Sequence, residues 1–271
     1  MLIKAKDARR EAFAARARIE RDGHSLAAGL LRLPEGAVHA DAGRAERLFL
    51  LIQGEVRVQC EEIDSVLRRT SCFDANPVCL HAAPGARVTV AAQSAAELYV
   101  AETDSGGRFP ARLYTERDTV SEMRGQGTMR ETSTRIVRTI MDYGSAPHAQ
   151  FVCGEVVNYP GRWSSYPPHG HPQPEIYLYR FLPANGFGFG ALGDAVHRVE
   201  QDDALLITDG LSHPQTAAPG YAMYYFWVIR RLDGNPYITP ATEPQHAWVT
   251  APDAPIWPPS GAHGQEGGAA V

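Results

Sequence analysis

Residues 163–181 read WSSYPPHGHPQPEIYLYRF, and the rest of the chain is best approached from this stretch. His169 and His171 stand two apart, and Glu175 follows four residues later. In an extended strand successive side chains point to opposite faces, so residues of equal parity share one face. His169, His171 and Glu175 can therefore face a common interior, with Tyr177 and Tyr179 in the same row. Two imidazoles and a carboxylate converging in this way suit a borderline divalent cation. Further on, ALLITDGLSHP (204–214) places His213 after an apolar strand and a Gly-containing turn, adding a third imidazole. The bland alternative is a solvated histidine pair. The apolar strand that follows, EIYLYRFL, argues against it, because its residues read as buried.

Working outward, short apolar runs broken by Gly, Pro and Asp continue on both sides. After residue 136 they include FVCGEVVNY (151–159), Phe187–Leu192, Ala204–Thr208 and YAMYYFWVIR (221–230). An earlier series comprises Leu48–Ile52, EVRVQC (55–60), RVTVA (87–91) and ELYVA (97–101). Many strand-length runs without alternating helices predict an all-β protein of two barrels. The expected layout is a helix over 1–22, a first barrel over 23–115, a connector over 116–135, a second barrel over 136–252 and a tail over 253–271. The helix is expected because Ala, Arg and Glu dominate 5–22, with Ala8, Ala12, Phe13 and Ile19 as a thin apolar stripe. The last dozen residues are expected to be disordered, being biased to Gly and Pro. The two halves differ in chemistry. LPEGAVHADAGRAE (33–46) offers only His39, Asp41 and Glu46, and APGARV (83–88) has no histidine, so a metal is expected only in the second barrel.

Composition narrows the function classes. The chain has 271 residues, 44% hydrophobic and 21% charged, which excludes disorder throughout and leaves room for two domains. Its formal net charge of −5 argues against nucleic acid as a partner, and no apolar run is long enough for a membrane-spanning helix. Cys60, Cys72, Cys79 and Cys153 form no CxxC pair and read as small buried residues in a reducing compartment. The charged N-terminal segment lacks the apolar core of a secretory signal, so a cytoplasmic location is expected by default.

HxHxxxE followed by TDGLSH resembles the paired motifs of the cupin superfamily, with Thr208 where proline is common. More narrowly, GRWSSYPPHGH, EIYLYRF, NGFGFG and PGYAMYYFWV resemble the 5-deoxy-glucuronate isomerases of inositol catabolism. RRTSCFD (68–74), ELYVAET (97–103) and RGQGTMRE (124–131) extend that likeness. The 4-deoxy-5-ketouronate isomerases of pectin breakdown are related, and RTIMDY (138–143) resembles their linker. The likeness is dense over 147–237, patchy over 65–131 and weak before that. It departs at the rim: Arg162 stands where Asn is usual, Gly170 where Lys is common and Pro172 where Asp is common.

The resemblance implies a bicupin holding one divalent ion on His169, His171, Glu175 and His213, with zinc first and manganese, iron or nickel as alternatives. It also implies an aldose–ketose isomerisation of 5-deoxy-D-glucuronate to 5-dehydro-2-deoxy-D-gluconate. Such chemistry needs a proton carrier, for which Glu175, Tyr177 and Tyr179 are the candidates. Barrel core with satisfied hydroxyls is the competing role for the tyrosines. A sugar-acid substrate also needs a cation for its carboxylate. Arg162, Tyr166, Arg180 and Tyr224 are the candidate substrate contacts, although the parity of Arg180 points it outward. Arg124 and Arg130 could fold over the mouth from the glycine-rich connector. The other functions consistent with the residues are isomerisation of another uronate such as 4-deoxy-5-ketouronate, a cupin dioxygenase, and a non-catalytic sugar-binding protein. A small sugar acid is the expected partner, a homo-oligomer is left open, and neither nucleic acid nor membrane is expected.

Overall fold

The alternation read from 175–181 organises the C-terminal half. In the computed structural model, which describes residues 1–5 and 13–258, Glu175–Leu182 lies inside a seven-stranded sheet. Its antiparallel neighbours are Ala204–Ile207 on one side and Ala222–Arg230 on the other. Beyond the latter follow Phe151–Asn158, Arg135–Met141 and Val120–Arg124. Tyr177, Tyr179 and Phe181 point to one face, where they pack with Leu192, Val199, Met223 and Tyr225. Ile176 and Leu178 point to the other, into a core shared with Leu26, Leu30, Leu48, Leu50 and Tyr99 of the N-terminal half. One face of the sheet thus lines the second barrel and the other binds the first. Each fully buried large apolar side chain contributes about 1.5–3 kcal/mol, so this shared core joins the halves firmly.

A four-stranded sheet closes the second barrel, in the order Trp163–Ser164, Gln215–Ala217, Phe187–Leu192, Ala195–Glu200. The first half is built on the 15-residue strand Glu46–Cys60, which pairs along its length with Ala96–Thr103, Cys79–Ala82, Ile63–Arg69 and Val88–Ala92. Its own core gathers Phe49, Leu51, Val56, Val58, Leu80, Val90 and Leu98. The all-β, bicupin architecture follows from these sheets. All four cysteines are free and buried.

Three expectations about the layout change. The helix over 1–22 is replaced, where residues are described, by strands: Phe13–Arg21 forms an edge strand on His24–Leu33. Ala17 and Ile19 are buried while Arg18 and Glu20 are exposed, a period of two that outweighs helix propensity. The overlooked signal was Asp22–Gly23: both residues have positive φ (50° and 79°) in the two-residue turn between the strands. Second, Leu2–Ile3 pairs with Ala204–Leu205, so the chain's start joins the C-terminal sheet. Third, the connector contains Val120–Arg124, an edge strand of that same sheet. The expected disordered end lies outside the described residues, as do residues 6–12 of the expected helix.

Buried ions seal the contact between the halves. Glu155 receives two hydrogen bonds from Arg69, at 2.7 and 2.8 Å, and one from the Tyr224 hydroxyl at 2.7 Å. Arg138 adds a longer contact of 3.4 Å to the same carboxylate. Burial alone would lower the Arg69 pKa, but the adjoining Glu155 carboxylate raises it overall. Two strands away, opposite Tyr224, Arg180 bonds Glu97 at 2.7 Å and Asp202 at 2.8 Å.

Candidate metal centre

The sequence of the site reflects three local constraints. Glu175 begins the central strand and projects from its barrel-lining face. His171 precedes that strand across the Pro172–Gln173–Pro174 turn, and His213 follows the turn after Ala204–Ile207, the strand that pairs with Glu175. Strand pairing therefore brings distant histidines to one carboxylate. His171, Glu175 and His213 are all buried, and one ligand atom from each lies within 4.8 Å of the others. His169 stands beside them: its ring centre is 5.3 Å from that of His213, edge to face. The structure thus gathers three of the expected ligands tightly and sets the fourth next to them.

The polar contacts reveal what the cluster is shaped for. His213 and His169 each engage a backbone carbonyl through Nδ1, of Leu211 and Pro167 respectively, both at 2.8 Å. A carbonyl only accepts, so both Nδ1 atoms carry the proton and Nε2 keeps a bare lone pair in the neutral ring. Burial pushes the His213 pKa down and, with His213 as neighbour, pushes that of His169 down to about 4. Both rings are accordingly neutral near pH 7. Yet the Nε2 atom of His213 lies 3.3 Å from Glu175 Oε2, lone pair facing lone pair. Nε2 of His171 lies 3.1 Å from the same oxygen. Two donors about 2.1 Å from one ion, at roughly tetrahedral or octahedral angles, sit about 3.0–3.5 Å apart. The spacing and the facing lone pairs both fit a divalent cation held by these residues.

A cavity of about 600 Å³ opens over the cluster. Its floor is His169, His171, Glu175 and His213, and Val137, Val152, Val156 and Trp227 contribute an apolar wall. Tyr177 enters this cavity, its hydroxyl sharing a hydrogen bond of 3.1 Å with Ser165 and its ring stacking on Tyr225 at 4.5 Å. Tyr225 in turn donates to Ser164 at 2.8 Å. Burial pushes the Tyr177 and Tyr225 pKa values up, keeping both phenols protonated.

The other candidates are placed elsewhere. Tyr179 is fully buried below the cavity, its hydroxyl given to Gln215 Oε1 at 2.7 Å, so it belongs to the core. Arg180 and Tyr224 face the first barrel, in the ion networks described above, as their even parity dictates. Arg162 and Tyr166 are partly exposed and do not line the cavity: Arg162 offers its carbonyl to Ala217, and Tyr166 packs its ring on Trp163. Arg130 bonds the carbonyl of Pro258, whereas Arg124 does reach the cavity. Sequence reasoning missed Ser165, Arg135, Tyr225 and Tyr237, which also line it. Ser165 and Tyr237 lie on irregular segments with no periodic signal, but Tyr225 could have been found by pairing YAMYYFWVIR against EIYLYRFL, since Tyr179 and Tyr225 are cross-strand partners.

Comparison with known proteins gives a consistent picture. The sequence model of the KduI/IolB family matches residues 2–249. A curated 5-deoxy-glucuronate isomerase of Geobacillus thermodenitrificans is 29% identical over 224 residues, covering 75% of this chain and 78% of that protein. One from Lacticaseibacillus casei is 26% identical over 219 residues, covering 74% of this chain and 78% of its own length. Among solved structures, an IolB-like protein from Salmonella typhimurium superposes with a TM-score of 0.75 at 23% identity, covering 83% of this chain and 90% of that one. Oxalate decarboxylase of Lactobacillus farciminis shares the fold, with a TM-score of 0.62 at 12% identity over 89% of this chain and 88% of its own.

Proposed function

The chain belongs to the KduI/IolB family, and from that membership we propose a metal-dependent aldose–ketose isomerase acting on 5-deoxy-D-glucuronate. The product is 5-dehydro-2-deoxy-D-gluconate. The curated relatives carry the name of this activity. The observation that supports it in this chain is the buried set of His171, Glu175 and His213, with His169 beside it, opening onto a cavity with an apolar wall.

The reaction takes a proton from C2 of the aldose, returns one to C1, and moves the hydroxyl proton from the C2 oxygen to the C1 oxygen. Charge accumulates on those two oxygens midway. A divalent ion held by the three histidines and Glu175 supplies Lewis acidity toward that charge; zinc is the first choice for this donor set, before manganese, iron or nickel. Tyr177 reaches the same space as a protonated phenol and donates to a substrate oxygen. Ser165 steadies that hydroxyl, and Tyr225 and Ser164 hold the next hydroxyls in line. The apolar wall of Val137, Val152, Val156 and Trp227 excludes water and strengthens each polar contact within.

The test is to incubate the purified protein with 5-deoxy-D-glucuronate and follow the ketose, before and after chelation and after adding back each divalent metal. Turnover that vanishes on chelation and returns with one metal is expected. No turnover with zinc, manganese, iron or nickel refutes the assignment. His171→Ala should abolish stoichiometric metal in elemental analysis, and a full metal complement in that variant rules out the site.

A further inference from the structure

We infer that Arg135, with Arg124 opposite it, forms the subsite that binds the carboxylate of an acid substrate at the far end of the cavity. The inference rests on the reading of this cavity as the substrate site.

Arg135 lines the cavity, partly buried, and donates to the Ser133 carbonyl and hydroxyl, both at 2.7 Å, and to the Tyr166 carbonyl at 3.3 Å. These acceptors are neutral. Among the described residues no carboxylate pairs with it, whereas the buried arginines Arg47, Arg69, Arg138, Arg180 and Arg230 each hold an acid. Burial pushes its pKa down with no acid to offset it, yet a guanidinium stays charged at any ordinary pH. Although Asp142 and Glu175 also line the cavity, neither pairs with Arg135, so a partly buried cation there has no anion within ion-pair distance.

The strand register sharpens the point. Arg124 and Arg135 are direct cross-strand partners, and both line the cavity. Like charges directly opposite one another destabilise a sheet. Glu122 relieves Arg124 from the exposed side, at 3.0 Å, but leaves Arg135 uncompensated. On its other side Arg135 faces Asn158, whose buried side-chain amide has neither its oxygen nor its nitrogen bonded. Two cations lining the cavity on neighbouring strands call for an anion with acceptor oxygens, and a planar carboxylate matches the guanidinium fork, while the Asn158 amide lies buried outside the lining.

The placement also sets polarity along the cavity. Arg135 lies by Tyr225, whose ring stacks on Tyr177, whose ring centre is 5.8 Å from that of His213. The carboxylate of an extended sugar acid would lie at the arginine end, and its carbonyl end would reach the histidines.

The experiment measures equilibrium binding by calorimetry to zinc-loaded wild type, Arg135→Met and Arg135→Lys. The probes are D-glucuronate and D-glucose, in which an uncharged CH2OH replaces the carboxylate. The wild type should prefer glucuronate by roughly tenfold or more, the scale of one charge-assisted pair. Arg135→Met should bring that ratio close to one and leave glucose binding unchanged, which a merely structural arginine would not do. Arg135→Lys keeps the charge but loses the fork, and should fall between; it decides the matter if the methionine variant does not fold. A wild-type protein without the preference, or a preference that survives in the variants, overturns the inference. Turnover of 5-deoxy-D-glucuronate is assayed separately. Its absence alongside an Arg135-dependent preference would reject the isomerase and leave the carboxylate subsite standing.

Discussion

Replacing Gly170 by alanine tests whether backbone packing sets the metal ligands. Gly170 separates His169 from His171 and pairs with Ala241 in a two-residue strand contact. A Cβ built there would run into the carbonyl oxygen of Gly210 and lie 3.1 Å from its carbon. Gly210 opens the segment that delivers His213, so the clash cannot be relieved without moving one histidine-bearing segment against the other. Backbone does not yield as a flexible side chain would. Overpacking of this kind typically costs about 1–3 kcal/mol. Shifting the supports of metal ligands typically costs about 10- to 100-fold in affinity. The assay is competition with a chromophoric chelator for zinc, together with a thermal melt. Gly106→Ala is the control, since nothing lies within 4 Å of a Cβ at that loop position. Gly170→Ala should bind zinc at least about tenfold more weakly than the control. Affinity and melting temperature equal to those of the control would show that the two segments adjust freely, and the packing argument would fail. The same geometry explains a departure in the sequence. Lysine, common between the two histidines in the resembling family, brings the same Cβ, which here has no space beside Gly210.

Two further predictions concern the contact between barrels. Glu155→Gln leaves Arg69 and Arg138 as buried cations without a counter-charge, and breaking a buried pair in this way costs about 3–5 kcal/mol; urea unfolding measures it, and a loss below about 1 kcal/mol contradicts the account. Asp104 links the halves through Arg230 at 3.0 Å. Partial burial opposes ionisation, but Arg230 and the Ser25 amide together hold the Asp104 carboxyl well below its ordinary 3.8. A depressed carboxylate pKa adds stability above its unfolded value and loses it as pH falls through the folded one. Asp104→Asn should therefore lower stability at neutral pH and flatten its decline below about pH 4. An unchanged acid slope in melts between about pH 5 and 2 would exclude this role.

The fold and the place of Glu175 were legible for the same reason, strict alternation in a strand buried on both faces, whereas His171 and His213 reach Glu175 from outside that strand. Glu175, Tyr177 and Tyr179 share one face and Arg180 takes the other, as parity requires, and Arg180 meets Glu97 of the first barrel. Parity does not show depth. Tyr177 reaches the cavity and Tyr179 does not, because Gln215 from the closing sheet already takes the Tyr179 hydroxyl. The cationic end of the cavity was legible only through Arg124, for a related reason. Arg135 opens a strand that follows the glycine-rich connector, and only the pairing of Arg124 with Arg135 shows that two arginines face each other. The N-terminal strand was misread because its alternation is short and made of alanine, arginine and glutamate, so the tertiary pairing to His24–Leu33 decides its form.

The two barrels also differ in what they do with their acids, which explains why ligand-like residues in the first half form no metal cluster among the described residues. Asp41 is drawn to Arg47 at 2.7 Å and to the Gly43 amide at 2.8 Å. Glu46 accepts from His81, at 2.9 Å, and from the backbone amide of Gln150 in the other half. Both carboxylates already have donors, and a cation arriving there would have to displace them. Glu175 is held differently: Nε2 of His171, at 3.1 Å, can donate to it as His81 does to Glu46, but Nε2 of His213 crowds the same oxygen at 3.3 Å. With Nδ1 of His213 tied to a carbonyl, its Nε2 has no proton to give and meets the carboxylate with a lone pair, a repulsion that a cation would relieve. A carboxylate held by donors alone stabilises the fold, and one that also faces a lone pair fits a cation. The first barrel has the former and the second the latter, although the fold is shared.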